Sequence, residues 1–144
     1  MDKQNNNNNM DIEASFFNWP VTGEDHVTVV ARGHIEADGV KKIFLNAAQI
    51  NRMLVGRGVL IDLRRGSYRF TYRDVHRLFD ELKPFLWPLH GRIALVSAPA
   101  SEQSDQLFIL SVCLSDQGLE ADVFYDIYRA IEWLAQKKKA PVLN

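Results

Sequence analysis

The sequence predicts a single α/β domain in which helices cover a mostly parallel sheet. Short runs rich in Val, Ile and Leu alternate with longer amphipathic segments, and turn residues separate them. The length of 144 residues suits one domain with its own core. Because alternating βα units join parallel strands, we expect a mixed, mostly parallel sheet of about five strands with about four helices, in the order ββαβαβαβα.

Four runs have the composition of buried strands and are bounded by turn residues. They are "HVTVVAR" (26–32), "GVLIDLR" (58–64), "RIALVSA" (92–98) and "EADVFYD" (120–126). An earlier run, "ASFFNWP" (14–20), is expected to pair with the 26–32 strand as an antiparallel hairpin arm that ends at Pro20.

Between and after these strands, apolar residues recur at helical spacing. The helical sets are Val40, Ile43, Phe44, Ala47, Ile50 and Leu54, then Val75, Leu78, Phe79, Leu82 and Leu86, and finally Ile127, Ala130, Ile131 and Leu134. Segment 101–117 fits a buried strand by periodicity alone, but its length and the capping residue Ser101 favour a helix. Left-handed glycines are expected at the helix ends, at Gly56, Gly91 and Gly118.

Composition restricts the classes of function. Seventeen Lys and Arg balance eighteen Asp and Glu, and the net charge of −1 provides no overall attraction for nucleic acid or an anionic membrane. No apolar stretch approaches the roughly 20 residues of a transmembrane helix. The single cysteine, Cys113, lies in an apolar run and is interpreted as a small buried side chain, which suits a reducing, cytoplasmic setting.

The beginning of the sequence differs in composition from the rest. A run of five asparagines within "MDKQNNNNNM" cannot bury enough apolar surface to order itself. We therefore expect residues 1–11 to form a disordered Asn-rich tail and residues 12–144 to form the α/β domain.

The turn after the 58–64 strand is the strongest functional signal. It carries Arg64, Arg65, Arg69 and Arg73 close to the start of the next helix. Positive side chains are mildly unfavourable at a helix N-terminus, whereas guanidinium groups and free backbone N–H groups together suit a phosphate or carboxylate. We predict that these arginines bind an anion or an acidic partner; the alternative is a solvated, charged loop.

Within this turn, Thr71 is predicted to be the N-cap of the following helix. Asp74 stands at the capping-box position, and Phe70 and Val75 have the spacing of a hydrophobic staple. Since carboxyl ends of parallel strands share one edge of a sheet, the turn is expected to lie near four polar residues from other segments. These are Arg32, His34, Ser97 and Ser101.

The element order and three segments resemble the STAS domain, the SpoIIAA-like family, and more distantly the CRAL-TRIO group. The segments are "VARGHIEADGVKK", "GVLIDLRRGSYRFT" and "EADVFYDIYRAIEWL". The resemblance implies a SpoIIAA-like fold and places the phosphoacceptor of the regulatory members at Thr71. The sequence departs from their Asp-Ser-(Ser/Thr)-Gly motif, with Phe70, Tyr72 and Arg73 in place of the aspartate, second hydroxyl and glycine. This departure argues against a phosphoswitch.

Apolar side chains surround nearly the whole circumference of the predicted helix at 107–114. A strip of Ser104, Ser111 and Ser115 is its narrow polar side. A helix on a sheet needs one apolar stripe, so the excess is either buried between neighbouring helices or covered by a dimer, another protein or an apolar ligand. Phe108 and Ile109 are the candidate interface residues.

The sequence offers no positive support for catalysis, a cofactor or a metal site. "GRG" precedes a strand instead of following one, so it is not a dinucleotide fingerprint, and the histidines are scattered. We therefore expect a non-enzymatic regulatory domain that binds a protein partner or itself and does not bind nucleic acid. The alternative is a carrier of a lipid or of another apolar or anionic small molecule.

Overall fold

The computed structural model describes residues 10–19, 24–51, 58–86, 88–89, 91–99 and 104–136. The strands are β1 (Asp11–Trp19), β2 (Glu24–Ile35), β3 (Gly58–Asp62), β4 (Gly66–Tyr68), β5 (Arg92–Val96) and β6 (Glu120–Phe124). The helices are α1 (Ala37–Asn51), α2 (Tyr72–Leu82), α3 (Ser104–Asp116) and α4 (Ile127–Ala135), with a 3₁₀ turn at Lys83–Phe85.

The sheet has the predicted mixed topology. Its strand order is β1-β2-β3-β5-β6, with β4 paired separately to β2. β1 and β2 form the expected antiparallel hairpin, while β2, β3, β5 and β6 pair in parallel. Segment 104–116 is helical, which confirms the choice of helix over strand for this apolar run.

The sheet separates a large core from a small one. Side chains along β3 point alternately to the two faces of the sheet. Val59 and Ile61 belong to the larger core, with α1, α2 and α3, whereas Leu60 belongs to the smaller core, with α4. The larger core includes Phe44 of α1 and Phe79 of α2, whose rings meet edge to face at 5.0 Å. α4 covers the opposite face of β3 and β5 through Ala130. Both faces of the central strands are therefore buried, as their continuous apolar composition requires.

β4 was not predicted and adds a sixth strand. It has three residues, one of them glycine, and it pairs in parallel with the end of β2 from Gly33 to Ile35. Gly33 has a φ of 89°, a left-handed conformation that favours glycine. β2 pairs with β3 as far as Val30↔Asp62 and with β4 from Gly33↔Gly66 onward, so its partner changes close to Gly33.

Some of the predicted helix ends and boundaries agree with the structure and others do not. Gly118 ends α3 with a φ of 82°, as expected, but Gly91 is not left-handed, because a 3₁₀ turn and a further turn separate it from α2. Ser111 is buried and not part of a polar strip, since its hydroxyl donates to the carbonyl of Phe108 at 2.7 Å. Gly56, Ser101 and residues 1–9 lie outside the described residues, and β1 begins at Asp11.

Among the residues that the structure describes, no helix combines the length and the apolar character that crossing a bilayer requires.

Candidate functional site

The predicted arginine turn is a short strand held between the sheet and α2. After β3, the backbone N–H of Leu63 donates to the carbonyl of Val96 at 2.8 Å, and Gly66 closes a turn by donating to Leu63 at 3.1 Å. A Cβ at Gly66 would lie 2.7 Å from Cδ1 of the buried Ile35, so glycine permits the close approach of β4 to β2. The sheet therefore determines the path of this segment.

Side chains alternate along this segment with the period of a strand. Tyr68 and Phe70 point into the core, where their rings stack with centroids 6.2 Å apart. Ser67 and Arg69 are exposed on the opposite side, and Arg65, in the turn before β4, is exposed as well. We call the exposed side chains of Arg65, Ser67, Arg69 and Arg73 the arginine surface.

Hydrogen bonds attach the inward side of the segment to three different elements. The Tyr68 hydroxyl lies 3.1 Å from Oγ of Ser97, which is fully buried at the end of β5. The N–H of Phe70 donates to Oε1 of Gln106 in α3 at 3.0 Å, and the N–H of Arg69 donates to the carbonyl of Ile35 at 3.0 Å. Burial raises the pKa of Tyr68, which keeps the hydroxyl protonated beside Ser97.

Thr71 is the N-cap of α2, as predicted. Its backbone is extended, and its Oγ1 accepts from the N–H of Asp74 at 3.2 Å. Phe70 and Val75, the predicted staple pair, are both buried in the larger core. The hydroxyl at the position that the STAS resemblance assigns to a phosphoacceptor therefore has a structural role.

Arg64 differs from the other three predicted arginines because an aspartate holds it. Its Nε and Nη2 donate to Oδ1 and Oδ2 of Asp62 at 2.9 and 2.8 Å, and its backbone N–H also donates to Oδ1 at 3.1 Å. Burial alone would raise the pKa of Asp62, but the hydrogen bonds from Arg64 and the attraction of Arg64 and Arg65 outweigh it and lower the pKa. This pair leaves Arg64 less available to a ligand.

The remaining arginines of the turn have no such partner. Within the described ranges, neither Arg65 nor Arg69 nor Arg73 forms an ion pair, and all three are exposed. His34 lies beside them, with Nδ1 3.4 Å from Oγ of Ser67 across the β2–β4 pair.

Of the other residues expected near the turn, Ser97 lies below it, bonded to Tyr68. Arg32 pairs with Asp11 of β1 at 3.5 Å. The placement of Ser101 remains a prediction, since it lies outside the described residues.

An open groove of about 420 Å³ continues the arginine surface along α2. Its lining residues are Tyr72, Arg73, His76, Arg77 and Asp80. The Tyr72 and His76 rings stack with centroids 5.6 Å apart, and the Tyr72 hydroxyl donates to Asp116 of α3 at 3.0 Å. This groove was not predicted from the sequence, although Tyr72 and His76 stand four residues apart, the spacing of neighbours on one helix face.

The two candidate interface residues of α3 differ in exposure. Phe108 is 65% exposed, whereas Ile109 is partly buried and packs against the larger core. Asp105 and Asp116 are exposed at the two ends of the same helix. Phe108 is therefore the apolar group that α3 presents to solvent.

Metal and thiol chemistry find no support in the described ranges. No group of three or more metal-binding side chains occurs there. Burial raises the pKa of Cys113 to about 11, with a smaller contribution from Asp116, so this thiol is protonated and poorly nucleophilic at neutral pH.

Comparisons with known proteins support the fold. Neither a protein-family model nor a curated protein matches the sequence. A similar solved structure is the crystal structure of an uncharacterized protein from the DUF3478 family, with a SpoIIAA-like fold, from Shewanella loihica PV-4. It is 14% identical, with a TM-score of 0.58, and the match covers 91% of this chain and 99% of that chain. This chain therefore has a SpoIIAA-like fold, as its resemblance to the STAS domain predicts.

Proposed function

We propose that this chain is a non-enzymatic, cytoplasmic interaction domain that recognises an acidic group of a protein partner at the arginine surface. The observation that carries the proposal is the contrast between Arg64, which Asp62 holds, and the exposed Arg65, Arg69 and Arg73, which pair with no described carboxylate. Guanidinium groups bind carboxylate and phosphate through two parallel hydrogen bonds, so three unpaired ones on one surface suit an acidic partner.

The position of the surface supports the same function. Binding groups are commonly presented on connecting segments that a rigid scaffold positions, and in α/β sheets they lie beyond the carboxyl ends of strands. Here the segment is hydrogen-bonded to Ile35, Ser97 and Gln106 of the scaffold, while Arg65, Ser67 and Arg69 are exposed.

The experiment compares sulfate with chloride at matched ionic strength, using the melting temperature. An anion that binds the folded state stabilises it by mass action, whereas sulfate also stabilises proteins generally by exclusion from their surface. We expect Arg69→Ala with Arg73→Ala to keep the general response and lose the additional one. The control, Lys42→Ala with Arg129→Ala, removes two exposed charges elsewhere and should behave as the parent protein does. Identical titrations of all three proteins would contradict the anion site.

The proposal includes a homodimer formed through α2 and α3. Phe108 is exposed on α3 between Asp105 and Asp116, and α2 exposes Arg73 and Arg77 together with three acidic residues, Asp74, Asp80 and Glu81. A two-fold contact that sets α2 of one copy against α3 of the other would cover Phe108, the apolar centre of the interface.

Size measurements test the homodimer. Light scattering at micromolar concentration should show a dimer that Phe108→Glu dissociates without unfolding, and Ser115→Glu provides a control at another exposed position of α3. A mass that remains monomeric at every concentration would contradict the dimer.

The groove along α2 favours a second candidate, a carrier of an anionic small molecule. Its stacked Tyr72 and His76 rings beside Arg73 and Arg77 would suit a planar anion. Native mass spectrometry of protein purified from its own source distinguishes the two functions. A retained small molecule, lost in Arg73→Ala with Arg77→Ala, would favour the carrier, whereas a bound protein would favour the interaction domain.

A further inference from the structure

We propose that the arginine surface recognises its acidic partner as an extended polypeptide segment, with Arg65 and Arg69 binding two acidic side chains four positions apart. The inference rests on the proposed function and specifies the shape of the partner. It starts from β4, which Arg65 precedes and Arg69 follows: Arg65, Ser67 and Arg69 are exposed, whereas Tyr68 is buried in the core.

Strand geometry sets the distance between the two arginines. Arg65 directly precedes and Arg69 directly follows the three-residue β4, and at a rise of about 3.3 Å per residue an extended backbone separates the two positions by about 13 Å. Both are attached through the backbone, since the carbonyl of Arg65 accepts from Gly33 at 3.4 Å and the N–H of Arg69 donates to Ile35 at 3.0 Å. Pairing with β2 therefore fixes the backbone positions of Arg65 and Arg69.

An extended ligand matches this distance better than a helix does. Acidic residues four apart are about 13 Å apart in an extended chain but only about 6 Å apart along a helix. Each guanidinium can then bind one carboxylate of the partner through two parallel hydrogen bonds. Between them, the Ser67 hydroxyl with His34 at 3.4 Å offers polar contacts to the intervening residues.

Aromatic placement argues against single-stranded nucleic acid as the occupant. Nucleic-acid strands bind to grooves in which bases stack on exposed aromatic rings. The aromatic residues of this segment, Tyr68 and Phe70, are buried and stacked on one another. The exposed Tyr72 lies on α2, where its ring stacks on His76 and its hydroxyl donates to Asp116, so the β4 side itself offers charge without a stacking platform.

Fluorescence anisotropy with labelled peptides at low salt tests the inference. Two peptides of equal charge carry two glutamates in a Gly/Ser background, either four positions apart or adjacent. Because an exposed ion pair contributes modestly, we expect the spaced peptide to bind the parent protein about threefold or more tightly than the adjacent one. Arg65→Ala with Arg69→Ala should remove that difference, and Lys42→Ala with Arg129→Ala should retain it.

Three other outcomes would overturn the inference, and they differ in what they leave standing. Equal affinity for both peptides, weakened in the Arg65 and Arg69 variant, would refute the spacing while retaining recognition of acidic groups. Binding that no arginine substitution changes would refute the proposed function as well. Tighter binding of an oligothymidine than of either peptide would assign the surface to nucleic acid.

Discussion

Arg92 and Arg69 are the same residue type beside the same sheet, yet their surroundings are opposite. Arg92 is 14% exposed, its Nε donates to Glu120 at 3.1 Å, and its Nη1 donates to the carbonyl of Trp133 at 2.8 Å. Its guanidinium also lies 5.0 Å from the centroid of the Trp133 ring. Arg69 is exposed and is held through its backbone. An arginine whose donors are used within the molecule stabilises the fold, whereas one with free donors is available to a partner.

The largest effect is expected from Arg92→Ala. The change removes the ion pair, the bond to a carbonyl at the negative end of α4 and the contact with Trp133, and should lower the free energy of unfolding by about 2 to 3 kcal/mol. Arg69→Ala, the matched control, should change it by less than about 0.5 kcal/mol. Urea denaturation measures both values, and similar losses would remove the contrast between the two arginines.

Gly66→Ala tests the support beneath the arginine surface. Its Cβ would lie 2.7 Å from Cδ1 of Ile35 in the core, and the required shift should cost about 1 to 3 kcal/mol. The displacement of β4 should also reduce the arginine-dependent response to sulfate. The control is Ser67→Ala, on the exposed side of β4. Gly118→Ala is not a suitable control because Gly118 has a positive φ. Unchanged stability of Gly66→Ala would show that β4 can move freely.

Thr71→Ala distinguishes the two interpretations of this threonine. As an N-cap, Thr71 should contribute about 1 kcal/mol, and its loss should leave binding of acidic peptides unchanged. Thr71→Ser retains the capping oxygen and serves as the control. Unchanged stability of Thr71→Ala with lost partner binding would instead support the phosphoacceptor role implied by the STAS resemblance.

The smallest effect is expected at Asp62, whose carboxylate binds the Arg64 guanidinium and so makes Arg64 differ from Arg65. The pKa of Asp62 is lowered in the folded state, so the carboxylate contributes stability above its unfolded pKa of about 4, and this contribution is lost as the pH falls through the folded value. Asp62→Asn should cost about 0.5 kcal/mol at neutral pH, with the difference vanishing in strong acid. Denaturant titrations from pH 7 to pH 2 measure it. A constant difference across that range would contradict the linkage.

The same variant sharpens the comparison at the arginine surface. Without the Asp62 carboxylate, Arg64 loses its charged partner and should behave as Arg65 does. The response of the melting temperature to sulfate should therefore increase in Asp62→Asn. An unchanged response would show that a lack of internal partners does not by itself make an arginine available.

Several features were predictable because they depend on local patterns. Thr71 could be assigned as a cap from its position before an amphipathic segment, and the run at 107–114 could be assigned as a helix from its length and flanking residues. β4 was missed because three residues are too few to show a period and because its partner lies more than thirty positions earlier, at Gly33–Ile35. The burial of Ser111 was not predicted. Its hydroxyl donates to a backbone carbonyl of its own helix, and this bond allows the polar side chain to be buried.

The sequence by itself determined the order of the helices and of every strand except β4, the mostly parallel arrangement of the sheet and the location of the arginines in the turn, since periodicity and turn chemistry act over a few neighbouring residues. Tertiary structure alone decided which arginines are free. Arg64 and Arg65 are adjacent and chemically identical, but only Arg64 has the geometry to form two bonds with Asp62. Likewise, Phe108 and Ile109 are neighbours on one helix, and the packing of α3 leaves Phe108 in solvent while partly burying Ile109. The first difference depends on the backbone conformation of the turn, and the second depends on the packing of α3 against segments remote in sequence.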